Sequence, residues 1–139
     1  LDTVKKRDLN MRDVVNMAAM VEMEAVFAEE QPRIAGVFLK RVEIGMPIQS
    51  DTTIQYILGA QKETITFKDT EIDNPYNTYQ NFGLPPGPIG SPSLSAIQAV
   101  LEPEQTDYLY FVAQNDGHHR FSRTYAEHLR AIDEIYYGR

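Results

Sequence analysis

Between Asn74 and Pro92 the chain carries five prolines and three glycines. Proline has no backbone N–H and clashes with a preceding helical turn, so neither a regular helix nor a central strand can pass through this stretch. A structureless segment of this length inside a compact domain is uncommon and often functional. Its first half, Asn74, Tyr76, Asn77, Thr78, Tyr79, Gln80 and Asn81, mixes flat aromatic faces with groups that both donate and accept hydrogen bonds. Sugars present the matching surface, apolar ring faces edged by hydroxyls. A packed surface loop is the plainer reading.

Regular structure therefore has to lie on either side. Asn10 is a fitting N-cap for a first helix running to about Glu29, and Pro32 suits the first turn of a second, with Ile34, Val37, Phe38 and Val42 at helical spacing and Gly45 past its end. Ser50 or Asp51 can cap a third helix through Leu58, stopped by Gly59. Residues 61–73 are polar and carry no clear period. After the proline-rich segment, Ser93 caps a helix from Leu94 to Leu101, closed by Pro103. Tyr108 to Gln114, the turn Asn115-Asp116-Gly117 and His118 to Ser122 predict a β-hairpin. If Asp116 and Gly117 form a two-residue turn, Gln114 pairs with His119 and Val112 with Phe121. A last helix covers about Thr124 to Tyr137. The expected class is α+β: one mostly helical domain with a small antiparallel hairpin, and a long Pro/Gly-rich loop lining a cleft.

A chain of 139 residues makes one domain that buries roughly two-thirds of its unfolded surface. Hydrophobic residues at 42% and charged ones at 24% mark it as globular. The net charge of −7 argues against nucleic acid and favours a neutral or cationic partner. Cysteine is absent, which removes disulfide frameworks, thiol nucleophiles and zinc ribbons. No apolar run is long enough to span a bilayer. A start at Leu1, without a signal-peptide pattern, reads as a domain cut from a longer protein, whose export or anchoring segment lies outside it.

The chemistry-bearing candidates begin with Glu22 and Glu24, the only ionisable residues between Val14 and Phe27. On a continuous helix both face apolar neighbours, Glu22 among Val15, Ala18, Ala19, Ala25 and Val26, and Glu24 beside Met20, Val21, Phe27 and Ala28. A carboxylate so placed takes up a proton or a partner, and a carboxyl kept protonated near neutral pH is what a general acid needs. The plainer alternative is a structural carboxylate paired with an arginine or capping a helix. Residues two apart do not face each other, so the two glutamates cannot be an opposed catalytic pair. A glycosidase of the two-carboxylate kind would need a second group elsewhere, such as Asp51 or Asp73. Gln49, Ser50 and Asp51 cluster amide, hydroxyl and carboxylate at a loop-to-helix junction, where an ordinary N-cap is the plainer explanation. His118, His119 and His128 lack metal-ligand spacing, so no metal or other cofactor is expected. Nucleotide-binding glycine loops and the Gly-x-Ser-x-Gly elbow are absent as well.

The order of short blocks resembles a known family. Val21-Glu22-x-Glu24, Ile34-Ala-Gly-Val-Phe38, Ile44-Gly-Met46, Gln49-Ser-Asp51, Asn74-Pro-Tyr-Asn-Thr-Tyr79, Gly83-Leu-Pro-Pro-Gly-Pro-Ile89, Tyr108-Leu-Tyr-Phe-Val112, His119-x-Phe-Ser122 and Ala126-Glu-His128 are similar to the catalytic domain of the endolytic murein transglycosylases, or YceG-like proteins. The similarity runs from about residue 11 to the C-terminus. It implies cleavage of the MurNAc–GlcNAc bond in nascent peptidoglycan with formation of 1,6-anhydro ends. It also implies an N-terminal transmembrane anchor and a LysM-like region outside this chain, action on the extracytoplasmic side of the bacterial cytoplasmic membrane, and peptidoglycan synthases as partners.

In such proteins the Val-Glu-x-Glu segment supplies a single acid. Glu22 is the expected one here, because Ala18, Ala19 and Ala25 leave room for substrate. Glu24 is expected as a supporting group paired with Arg33 or Arg41, or as the alternative acid. Gln49, Ser50, Asp51, Tyr76, Asn77, Tyr79 and His119 are the expected glycan contacts. A lysozyme-type hydrolase and a non-catalytic glycan-binding module are the competing readings.

Overall fold

The computed structural model describes residues 10–60 and 64–138. Among these, five α-helices and one two-stranded sheet form the α+β fold expected from the sequence: α1 (Met11–Glu24), α2 (Gln31–Glu43), α3 (Asp51–Leu58), α4 (Leu94–Leu101), β1 (Tyr110–Ala113), β2 (His119–Ser122) and α5 (Tyr125–Tyr137). Short 3-10 turns lie at Ala28–Glu30 and Asp69–Glu71. Helix α1 packs against α2 and α4, and α5 lies against the hairpin. Val14, Met17, Ala18 and Val21 of α1 join Ile34 and Phe38 of α2 and Ala96 and Val100 of α4 in the core.

The caps place the helices largely where the sequence does. Asn10 Oδ1 accepts from the Asp13 amide at 2.9 Å, Ser93 Oγ from Ala96, and Thr124 from Glu127. Helix α3 closes on Gly59 in the left-handed region.

The first helix departs from expectation, ending at Glu24 rather than near Glu29. Ala25 turns extended, and the next two residues pack on the hairpin turn: Phe27 stacks on His118 with ring centroids 4.0 Å apart, and Val26 lies against Gly117. Local helix propensity yields to these tertiary contacts. Glu24 thereby becomes the last helical residue.

The hairpin register is also one residue off the two-residue-turn expectation. Tyr110 pairs with Ser122, Phe111 with Phe121, Val112 with Arg120, and Ala113 with His119. The Gln114 amide donates to His118 O at 2.8 Å, and Gly117 sits at φ +91°. The connection is thus a three-residue loop closed by a left-handed glycine. A one-residue shift reverses the face of every side chain, so His119 stands opposite Ala113 and not Gln114.

The segment 74–92 contains neither helix nor strand, and it packs inward more than it lines a cleft. Asn77 is fully buried, donating through Nδ2 to Thr70 O and Ile72 O and accepting from the Tyr79 amide. Pro85 O accepts from Asn16 on α1, and Ile89 enters the core.

Candidate active site

A cavity of about 400 Å³ lies between the end of α1, the start of α3, the hairpin and α5. Glu24, Gln49, Asp51, Tyr79 and His119 line it together with Arg41, Tyr110, Tyr125, His128 and Tyr136. Five of the residues singled out in the sequence therefore converge, although they come from four separated segments.

Glu24 is part of the wall of this cavity. The Ser50 hydroxyl donates to Glu24 Oε1 at 2.9 Å. Ser50 occupies the N-cap position of α3 but makes no capping hydrogen bond of its own. Its oxygen lies 2.6 Å from Thr52 Oγ1. With its own proton given to Glu24, Ser50 accepts from Thr52, a relay of hydroxyls ending on the carboxyl. Thr78 fixes Ser50 from the other side, its Oγ1 accepting the Ser50 amide at 2.9 Å and meeting Thr53 Oγ1 at 2.9 Å. The proline-rich segment thus holds the group that holds Glu24.

Burial raises the Glu24 pKa above the ordinary carboxylate value. The Ser50 hydrogen bond opposes this, Asp51 adds repulsion, and His119 and the Thr52 amide favour the ionised form. Its position at the C-terminal end of α1 works in the same direction as burial, since the helix dipole is negative there. The side chain nonetheless stays half-buried, reached through the cavity.

Glu22 lies elsewhere. It accepts from the Ser93 amide at 2.7 Å, at the N-terminus of α4. Hydrogen bonds from the Ser93 side chain and backbone lower its pKa, against a small opposing effect of burial. It is placed to cap a helix from outside, the environment of a stable carboxylate. Tyr76 packs against Tyr56, with centroids 5.0 Å apart and planes tilted by 37°, and does not line the cavity. Asn77 is likewise outside it, consumed by the hydrogen bonds described above.

The arginines expected beside Glu24 have other tasks. Arg33 pairs with Glu104 at 2.7 Å. Arg41 donates to the carbonyls of Leu109, Pro47 and Ile48, at 2.7, 3.0 and 3.1 Å. Asp51 is engaged by the Tyr79 hydroxyl. Desolvation of the Asp51 carboxyl raises its pKa against this bond, and burial together with the neighbouring carboxylate raises that of the Tyr79 phenol. His119 is oriented by Glu30, which accepts from both its backbone amide and Nδ1, the latter at 2.9 Å. Among the described residues no group of three His, Asp or Glu side chains is arranged to hold a metal ion.

Sequence reasoning did not assign Arg41, Tyr110, Tyr125, His128 or Tyr136 to the cleft, although Arg41 was expected beside Glu24 and Tyr110 and His128 stand in the blocks quoted above. Arg41 is one of two arginines on α2, and nothing in the sequence distinguishes its buried position from the surface position of Arg33. The α5 residues did carry a signal: Tyr125, His128, Ile132 and Tyr136 recur at helical spacing.

The YceG-like family model matches residues 2–134. The chain belongs to the YceG-like family. A protein of Bacillus subtilis (strain 168) named endolytic murein transglycosylase is 42% identical over 131 residues, covering 94% of this chain and 36% of that protein. A protein of the same name from Streptococcus pneumoniae serotype 2 is 38% identical over 138 residues, covering 95% of this chain and 25% of that protein. The crystal structure of a YceG-like protein from Listeria monocytogenes superposes with a TM-score of 0.86 at 41% identity, over 94% of this chain and 43% of that one. The chain thus spans less than half the length of each of these relatives.

Proposed function

We propose that this chain is the catalytic domain of a lytic transglycosylase that cleaves the MurNAc–GlcNAc bond within peptidoglycan strands, with Glu24 as its acid and base. The supporting observation is the half-buried Glu24 carboxyl in the wall of the cavity, its pKa raised by burial while Ser50 holds it in place. Glu22, capping α4 outside the cavity, has the environment of a structural carboxylate. The relatives named endolytic murein transglycosylase support the reaction class.

In this reading the protonated Glu24 gives its proton to the glycosidic oxygen as the bond to the anomeric carbon breaks. The departing GlcNAc leaves with a new 4-hydroxyl. Glu24, now ionised, takes the proton from the C6 hydroxyl of MurNAc, whose oxygen bonds to its own anomeric carbon. The product is a 1,6-anhydro end, no water is consumed, and Glu24 is again protonated. Because the nucleophile belongs to the same sugar, its effective concentration is high and no second carboxylate is required. Gln49, Asp51, Tyr79 and His119 border the space the strand would occupy. A membrane anchor, action on the extracytoplasmic side and contact with peptidoglycan synthases belong to the proposed whole protein; no helix among the described residues is long and apolar enough to cross a membrane.

A lysozyme-type hydrolase is the second reading, favoured by Asp51 in the same cavity. Mass spectrometry of products from purified glycan strands separates the two, because anhydro ends are lighter by one water. Wild-type chain and Glu22→Gln are expected to release anhydro ends and Glu24→Gln none. Reducing ends that vanish in Asp51→Asn would establish the hydrolase instead. Loss of activity in Glu22→Gln with Glu24→Gln still active would return the acid to Glu22.

A further inference from the structure

Helix α3 begins without a side-chain cap of its own. The first amides of a helix have no intrahelical partner and are ordinarily met by the side chain at the N-cap. At α3 that side chain is Ser50, which makes no capping hydrogen bond and instead donates to Glu24 Oε1 at 2.9 Å. Asp51 and Thr52 open the helix. The Thr52 amide favours the ionised form of the Glu24 carboxyl. The acid at the end of α1 thus stands in for the cap that α3 lacks.

Thr52 also acts through its side chain. Its Oγ1 lies 2.6 Å from Ser50 Oγ, and because the Ser50 proton is given to Glu24, the Thr52 hydroxyl donates to Ser50. Hydrogen bonds in series polarise one another, and a bond to an ionised acceptor is stronger than one to a neutral group. A donor behind Ser50 therefore favours the carboxylate over the protonated carboxyl. Ser50 itself is fixed along its backbone, its amide donating to Thr78 Oγ1 at 2.9 Å and its carbonyl accepting from Thr53 Oγ1 at 2.7 Å. Thr52 thus supports the Glu24 carboxyl twice, directly by its amide and indirectly by its hydroxyl.

We propose that Thr52 is a positioning residue for the Glu24 acid and governs, through its amide and its hydroxyl, how readily that carboxyl parts with its proton. This rests on Glu24 as the acid of the reaction proposed above and adds what sets its strength. Burial favours the protonated carboxyl, and a general acid works best when its affinity for the proton is not far above the ambient pH. The two Thr52 donors pull against burial in the required direction. Other charged or titratable groups share the cavity with Glu24: Asp51 from α3, His119 from β2, Tyr79 from the proline-rich segment, Arg41 from α2, Tyr110 from β1, and Tyr125, His128 and Tyr136 from α5. Substitutions at Thr52 leave all of them in the chain, so the residue's own effect is separable.

The test follows the Glu24 carboxyl directly, by carbon NMR titration of protein labelled at its glutamate carboxyl carbons, the Glu24 signal being the one missing from Glu24→Gln. Thr52→Ser keeps both donors and Thr52→Val loses the hydroxyl. Thr52→Pro loses hydroxyl and amide together, with a ring that the first turn of a helix tolerates. Thermal melts check that each variant is folded, and Thr52→Val decides by itself should the proline variant not fold. The acid is expected to weaken about threefold in Thr52→Val and about tenfold in Thr52→Pro, and to match the parent in Thr52→Ser. Both shifts should persist when the series is repeated in Asp51→Asn, because they do not pass through that carboxylate. The alkaline limb of kcat/KM should move to higher pH by the same factors, whereas general damage to the fold lowers the rate at every pH and leaves the limb in place. A titration unmoved in Thr52→Val, or shifts that vanish in Asp51→Asn, overturn the role of Thr52. They leave the reaction standing where the parent makes anhydro ends and Glu24→Gln makes none. Shifted titrations in a chain that makes no anhydro ends keep the hold of Thr52 on the carboxyl and overturn the reaction.

Discussion

At the scale of single residues, the chain separates two glutamates that sit two positions apart. Glu22 meets a helix N-terminus and is lowered; Glu24 meets a helix C-terminus, burial and Asp51, and is raised. An acid that must start protonated loses activity as pH rises through its pKa. Ser50 opposes that rise and Asp51 contributes to it, so their removal should move the alkaline limb in opposite directions. Ser50→Ala is expected to shift the limb of kcat/KM to higher pH, and Asp51→Asn to lower pH. Rate profiles on soluble glycan strands would read both, and two shifts of the same sign would mean that Glu24 does not set the limb. The same burial has a stability consequence. Because the folded pKa lies above the unfolded one, ionising Glu24 costs stability, and the penalty grows as pH rises from the unfolded value towards the folded one. Glu24→Gln should therefore melt higher than the parent at pH 8, with the advantage vanishing near pH 4. Gln can still accept the Ser50 proton, so that contact survives.

At the scale of elements, what was legible in the sequence is what local chemistry decides. Asn10, Ser93, Thr124, Gly45 and Gly59 mark helix ends because capping and left-handed closure depend on neighbours in sequence. The end of α1 was not legible, since Ala25 to Glu30 favour helix locally and yield only to Val26 and Phe27 packing on the hairpin turn. That one break also misdirects a helical-wheel argument about Glu24, whose expected neighbours Phe27 and Ala28 lie beyond the helix. The cavity was half legible for a related reason. Gln49, Asp51, Tyr79 and His119 stand in distinctive blocks, whereas the α5 stripe looks like any amphipathic helix until its partner surface is known. The hairpin turn gives the sharpest test at this scale. Gly117 is at φ +91°, and an added Cβ would meet Phe27 at 3.2 Å and Val26 at 3.3 Å. Gly117→Ala should cost about 1–2 kcal/mol from the left-handed backbone and the crowding together. It should also lower activity, because the turn anchors the segment following Glu24. Denaturant midpoints give the first quantity and anhydro-end release the second. An unchanged midpoint would mean that turn and segment are not mechanically joined.

At the scale of the whole molecule, one buried cation links the walls of the cavity. Arg41 rises from α2, is only 7% exposed, and reaches the Leu109 carbonyl just before β1 and the Pro47 and Ile48 carbonyls just before α3. Its charge lies over Tyr110, which in turn carries His128 and so the aromatic face of α5. Glu24 and the aromatic wall come from distant parts of the chain. Their spacing therefore depends on this guanidinium. Lysine keeps the charge but not the planar fork, and its single ammonium cannot serve carbonyls approaching from two directions. Arg41→Lys should leave at least one buried carbonyl unmatched and cost about 2–3 kcal/mol. The loss should appear as a lower denaturant midpoint at constant m-value, since the fold itself is retained. Activity should fall further than the lost stability explains when assayed well below the melting temperature, with KM and kcat both affected as the two walls lose register. Arg33→Lys supplies the control, because Arg33 pairs with Glu104 at the surface and an exposed pair contributes less than about 1 kcal/mol. Equal losses in the two variants would show that the cavity walls are held by the core alone.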